Sequence, residues 1–364
     1  MHCLNNLERL SINTETLIKL LKLYEFRGKD YYFEEILRSD SSKIFKQTID
    51  KDAFYLGEIM NLNITNPRKK LIIRKGSNPK NKDEQILTNI KNIFQILNQS
   101  ASRFEFSANQ LLNLAIKLYE EVEKISFNFT EKEEQINLIK QRKRVSKRQD
   151  LENLIHLYSE KVKSDKFEIT QLVTNFYIDF LHINAFNFSN DFIGLLTLYA
   201  LLLKEKFQML KYTSFFELVY EHLTNFNSKI VEADFNYDQG FSKTDPLNQL
   251  LIDILLEAYE KVDKLCLDKV STFNVRKTND IENTISKLPD IFTKEDIRRI
   301  HPLVSLSTID RTLKRLQEEG KVRSNGKGRS ATWVRLTSYD RFDLGQQKQI
   351  SMFDMIFNDK TEEK

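Results

Sequence analysis

Cysteine is nearly missing from this chain of 364 residues: Cys3 and Cys266 stand far apart, with no metal-ligand spacing around them. Their isolation argues against a disulfide framework or a zinc site and predicts a reducing, cytoplasmic compartment. The five histidines are scattered too, so no metal centre is expected. Glycine and proline number only nine and five, and no glycine falls between Gly76 and Gly194. Tight hairpins and phosphate-cradling loops draw on residues that accept positive φ. Their scarcity predicts a mainly α protein. No stretch of eighteen apolar residues occurs, and no charged segment leads into an apolar one at the N-terminus, so neither a membrane span nor a signal peptide is expected.

What is present fits a globular protein of two or three domains, with 40% hydrophobic and 30% charged residues. Abundant Lys, Asn, Phe and Ile suggest an AT-rich bacterial genome. Residues 1–100 read as an N-terminal helical arm, in which Leu17, Leu20, Leu21 and Tyr24 fall on one helix face. Residues 101–270 read as a central helical body. Within it, residues 109–125 carry Leu111, Leu114, Ala115 and Leu118 at helical spacing, and residues 247–267 form a long apolar helix that closes the body.

Residues 180–196 organise the rest: Phe-Leu-His-Ile-Asn-Ala-Phe-Asn-Phe-Ser-Asn-Asp-Phe-Ile-Gly-Leu-Leu. A helix, a polar break and a second helix are predicted. The stretch resembles the core of the Fic family, F-x-x-I-H-P-F-x-[DE]-G-N-G-R-x-G-R, with Phe180, Ile183, Phe186, Asn190 and Gly194 in register. That resemblance implies a Fic-like helical bundle, and for most members transfer of AMP from ATP to protein hydroxyls. The chemical positions depart from the pattern. Asn184 stands where the family has its general-base histidine, Ala185 replaces the proline, and Phe188 replaces the metal-holding acid. Ser189, Asn190, Asp191 and Phe192 occupy the phosphate-binding Gly-Asn-Gly-Arg, and Leu195 the final arginine. His182 lies two residues from the lost histidine, which on a helix turns it roughly 200° away.

The family often carries an inhibitory glutamate within S-S-x-I-E-G. The best register here sets residues 41–46 on that hexapeptide with Phe45 at the glutamate, and a weaker one puts Met60 there. Two apolar residues can pack where an unpartnered charge could not be buried, so Phe45 is expected against Phe192 or Leu195. Residues 140–148 hold six basic residues in nine. The family commonly has a hairpin flap near this place. Without glycine or proline the run reads instead as an exposed helix end or loop, either solvated or touching nucleic acid or an acidic partner.

After residue 270 the composition shifts. Residues 281–288, 293–300 and 306–319 read as helices, and residues 321–323 and 331–336 as strands around a glycine-rich turn, with Thr293 capping the second helix and Ser305 or Ser307 the third. Residues 271–336 therefore resemble a winged helix-turn-helix domain with a small β-hairpin wing. They contain fourteen Lys plus Arg against eight Asp plus Glu, a net of +6 in a chain of +4. Ser307, Thr308, Arg311, Thr312, Lys314 and Arg315 on the third helix, with Arg323, Lys327 and Arg329 on the wing, are the expected contacts to duplex DNA. A protein-interaction or dimerisation module is the other reading. Residues 337–364 are expected to be a disordered tail, in which Gln349, Ile350, Met352 and Phe353 resemble a sliding-clamp docking peptide. The alternative is a tail that packs on the body or on a second subunit.

The sequence thus predicts a catalytically degenerate Fic-like protein, with no cofactor, coupled to a DNA-binding module in a bacterial regulatory or defence-type role. One alternative is an adenylyltransferase with altered site residues, which would need ATP and magnesium. Another is an interaction or dimerisation protein.

Overall fold

The computed structural model describes residues 2–9, 12–100, 106–136, 139–302, 304–326 and 331–336, and the chain divides into two units, Met1–Cys266 and Leu267–Lys364. The first unit opens with α1 (His2–Asn5), α2 (Thr14–Arg27), α3 (Asp30–Leu37), α4 (Ser41–Ile59), α5 (Asn66–Lys75) and α6 (Lys82–Ser100). Local chemistry sets the ends of these helices. The Asn13 side chain accepts from Thr16 N at 2.8 Å to start α2, while Pro67 sits in the first turn of α5 and Gly76, at φ 63°, ends it.

α7 (Ala108–Leu118) is followed by two strands, β1 (Phe129–Ile136) and β2 (Ile139–Ser146), and then by α8 (Arg148–Lys163), α9 (Ile169–Ile183), α10 (Asn190–Lys204), α11 (Phe215–Glu221), α12 (Leu223–Asp234) and α13 (Asp245–Lys287). The expected mainly α architecture with a small β-hairpin is in place.

Four expectations need correction. The arm is not separate from the body, because residues of both share one hydrophobic core. Buried Asp52 on α4 ties them together, accepting from Ser214 Oγ at 2.6 Å and from Phe216 N at 3.1 Å at the start of α11. The helix from residue 109 stops at Leu118 rather than 125. The helix beginning at Asp245 does not end at 267 but runs to Lys287. Finally, the basic residues 140–148 are mostly strand, not helix end or loop: β2 pairs antiparallel with β1, with Glu131 opposite Arg144 and Glu133 opposite Arg142 in register. A run of cations can be a strand when the partner strand brings acids to the same rungs.

In the second unit, β3 (Ile291–Thr293), α14 (Lys294–Ile300), α15 (Leu306–Glu318), β4 (Val322–Asn325) and β5 (Thr332–Arg335) follow the end of α13. The sheet order is β3-β5-β4, all antiparallel. β3 escaped the sequence reading, which took residue 293 as a helix start only. It is both: Thr293 pairs with Thr332 and caps α14 through a reciprocal bond with Asp296. Ser305, rather than Ser307, caps α15. A core of Ile281, Ile285, Phe292, Ile297, Ile309, Leu313, Leu316, Val322 and Trp333 holds this unit together. Lys327, Arg329 and the tail with Gln349, Ile350, Met352 and Phe353 lie outside the described residues. Among the described residues no helix is long and apolar enough to cross a membrane.

Candidate functional site

The loop between α9 and α10 is held by its own polar groups. α9 ends on Asn184, which adopts the left-handed conformation at φ 51° and ψ 56° that asparagine tolerates better than most residues. Asn184 is thus an exposed helix cap. Two residues on, Phe186 is clamped by one side chain: Asn190 Oδ1 accepts from Phe186 N at 2.8 Å, and Asn190 Nδ2 donates to Phe186 O at 2.7 Å. Ser189 takes φ 56° without glycine, and its hydroxyl hydrogen-bonds that of Tyr119. Burial pushes the Tyr119 phenol up to about 12, against the opposing effect of the Ser189 bond. Gly194 has a packing role, since a Cβ there would lie 3.0 Å from Leu181 Cδ2 and 3.1 Å from Phe180 Cδ1, where α9 and α10 meet.

The strand entering the hairpin is bonded to the same loop. Asn128 N donates to Ala185 O at 2.7 Å and Asn187 N to Ser126 O at 3.1 Å, while the Phe127 and Phe186 rings stack at 5.6 Å. Lys147, just beyond β2, donates to Ile183 O at 2.8 Å. Lys147 belongs to the basic run 140–148, but Ser126, Phe127, Asn128 and Tyr119 come from positions some sixty residues before the loop or more, too far for spacing to connect them. Their only sequence signal is the polar and aromatic character of residues 126–128.

Where the resemblance calls for a metal-holding acid, Phe188 is 47% exposed and leans edge-on against the Tyr119 ring at 5.0 Å. Phe192 and Leu195 pack into the wall of a cavity of about 410 Å³, together with Tyr177, Asp191, Phe226 and Ile230. Ile59 and Asn61, at the end of α4, close its other side. Among the described residues that line it there is one carboxylate and no cation, so the lining does not fit nucleotide phosphates or a magnesium ion beside them. Phe45 does not share this wall. Its ring rests on Tyr212 at 5.1 Å, and fourteen helical residues separate it from Ile59, about 21 Å along the axis. Of the two registers for the inhibitory position, the one at Met60 lies beside the cavity. His182 is turned from the loop onto Tyr237, ring on ring at 3.3 Å, with Nε2 2.6 Å from Asp234 Oδ1. Burial lowers its pKa, opposed by the nearby aspartates.

In the second unit the expected contact residues separate into two groups. Ser307, Arg311 and Lys314 are exposed along one face of α15, and Arg323 is exposed on β4, while Thr308 is half-buried. Thr312 is buried and its hydroxyl donates to Thr308 O at 2.9 Å, so it cannot reach a ligand. Arg315 is held between Glu282 at 2.8 Å and Glu319 at 2.9 Å, which makes it a brace to the end of α13.

No family model and no curated protein matches the sequence. Among solved structures, the chain is similar to a Fic family protein from Desulfovibrio desulfuricans G20, at 13% identity over 90% of this chain and 98% of that one, with a TM-score of 0.53. It is also similar to a Fic domain containing signaling protein from Bacteroides thetaiotaomicron VPI-5482, at 13% identity over 68% and 98%, with a TM-score of 0.49. A C. elegans Fic-1 fragment gives 11% identity over 68% and 71%, again at 0.49. At this level of identity the likeness defines the class of fold: the chain has a Fic-like helical fold.

Proposed function

We propose that this chain is a catalytically degenerate Fic-like protein whose helical body serves a winged-helix DNA-binding module, in a bacterial regulatory or defence-type role. The observation that carries the first half is the contrast inside the loop. Its packing residues, Phe186, Asn190 and Gly194, make the bonds and contacts that hold it. Its chemical positions hold Asn184, Phe188, Phe192 and Leu195, none of which takes a proton, binds a metal or balances a phosphate. Losing a general base alone lowers a rate by about 10² to 10⁴. Losing donors at the developing charge costs a further factor of about 10² to 10³ for each.

The second half rests on Arg311, Lys314 and Arg323, which are exposed and make no salt bridge among the described residues. An exposed helix face beside a cationic strand suits a major groove and its flanking phosphates. The test has two arms on the full chain. In a gel shift with duplex DNA, binding that weakens with salt and drops in an Arg311→Ala/Lys314→Ala/Arg323→Ala variant supports the module. Salt-insensitive or absent binding removes it. In the second arm, labelled AMP from ATP is followed onto the chain itself and onto added protein, and transfer above background would overturn the degenerate reading.

A further inference from the structure

A second cavity in the first unit lies away from the α9–α10 loop, between α4 and α5 of the arm. Its volume is about 800 Å³, and its walls include Lys43, Lys46, Lys51, Lys70 and Arg74. On α4 the lining residues recur at three- and four-residue spacing, from Lys43 through Lys46 and Asp50 to Phe54, so one face of the helix forms one wall. Lys70, Ile73 and Arg74 of α5 form the facing wall. Lys51 is ion-paired with Glu217 at 2.8 Å. Lys43, Lys46, Lys70 and Arg74 are exposed and make no salt bridge among the described residues. Four cations facing one hollow repel each other, and an anion between them relieves that repulsion.

Two further features narrow the class of anion. Asp50 also lines the hollow, half-buried among the cations. Burial raises the pKa of this carboxyl, and Lys91, Lys46 and Arg74 oppose the rise. An acceptor in that position suits a ligand that brings its own donor, such as a hydroxyl or an amine. Phe54 and Tyr55 are half-buried at the end of the hollow, and their rings offer a flat apolar body something to pack on. A hollow of this size belongs with small-molecule sites, whereas a nucleic-acid surface would be an open stripe.

We propose that the cleft between α4 and α5 binds a nucleoside polyphosphate, with the phosphates on Lys43, Lys46, Lys70 and Arg74, a ribose or base donor on Asp50, and the base against Phe54 and Tyr55. The site lies on the side of α4 that faces α5 and shares no lining residue with the cavity beside the α9–α10 loop.

The experiment is calorimetric titration of the full chain with ATP, ADP, adenosine and inorganic tripolyphosphate, repeated with Lys46→Ala/Arg74→Ala and with Leu195→Ala. Both variants are compared with the parent by circular dichroism to show that they fold. ATP is expected to bind more tightly than either adenosine or tripolyphosphate, and to weaken with salt. The double variant is expected to lose about tenfold or more in affinity, the scale of one charged hydrogen bond, and Leu195→Ala to leave it unchanged. No binding of ATP or ADP at millimolar concentration overturns the proposal, as does equal binding by the double variant. Tripolyphosphate binding as tightly as ATP removes the nucleoside, and a single-stranded oligonucleotide that displaces ATP at lower concentration assigns the cleft to nucleic acid instead.

Discussion

α4 borders two cavities of opposite character, one along most of its length and one at its C-terminal end. Beyond Ile59, the cavity beside the α9–α10 loop is lined by apolar side chains, Asn61, Asn227 and the single carboxylate of Asp191. Along residues 43–54, the cleft against α5 has five cations in its walls. Among the described residues, the hollow beside the α9–α10 loop has no cation in its lining, and the cleft against α5 gathers five. Within the loop, Asn190 and Ser189 spend their side-chain hydrogen bonds on Phe186 and Tyr119, inside the fold.

The largest effect is expected at Asp52, which is buried on α4. Burial raises its carboxyl from the ordinary value of 3.8 to about 7. The native state then holds a proton that the unfolded chain releases, so this group's contribution to stability is full below about pH 4 and is lost as pH rises to about 7. Asp52→Asn has no proton to lose. Urea melts of parent and variant at pH 5 and pH 8 should show the variant gaining on the parent as pH rises. An unchanged gap would mean that Asp52 is ionised in the fold, and that α4 is tied to the start of α11 by a charged group.

Next in size are two changes that ask whether the loop is held by packing. Asn190→Ala removes both bonds to Phe186 and leaves that backbone N–H and C=O unpaired, at a cost of about 2–4 kcal/mol in denaturant melts. Gly194→Val forces a branched side chain against Phe180 and Leu181 and should cost about 1–3 kcal/mol. If both variants melt like the parent, the loop is not the structural keystone that its bonding pattern indicates.

Sequence reading went furthest where structure is local. The cap at Thr293, the helix pair around residues 180–196 and the second hairpin follow from spacing and turn chemistry. It failed where the deciding partner is distant. Tyr119 meets Ser189 across seventy residues, and the basic residues of β2 become a strand by pairing with β1, whose partner positions no local spacing reveals. Lys43 and Lys70 each look like solvated surface until α4 and α5 are set side by side. One miss had a signal: between Pro246 and Pro289 there is neither glycine nor proline, so a helix running on past residue 267 was legible. The change of composition near residue 270 was taken for a break.

The smallest expected effects lie on α15, where two arginines four residues apart do different work. Arg311 is exposed without a salt bridge among the described residues, whereas Arg315 spans Glu282 and Glu319. If α15 meets DNA phosphates, each lost contact removes about 0.9 from the slope of log affinity against log salt. Arg311→Ala should therefore lower the slope by about that amount and leave the melt of the second unit alone. Arg315→Ala should do the reverse. Its slope should stay near the parent's, while stability falls by less than about 1 kcal/mol, because these partly exposed pairs are screened by solvent. Glu282 would then be left beside Lys321, to which it is already paired, and that remaining partner limits the loss. Equal slopes for the two variants would show that Arg315 leaves its acids to meet the DNA, and the division of α15 into a binding face and a bracing face would be wrong.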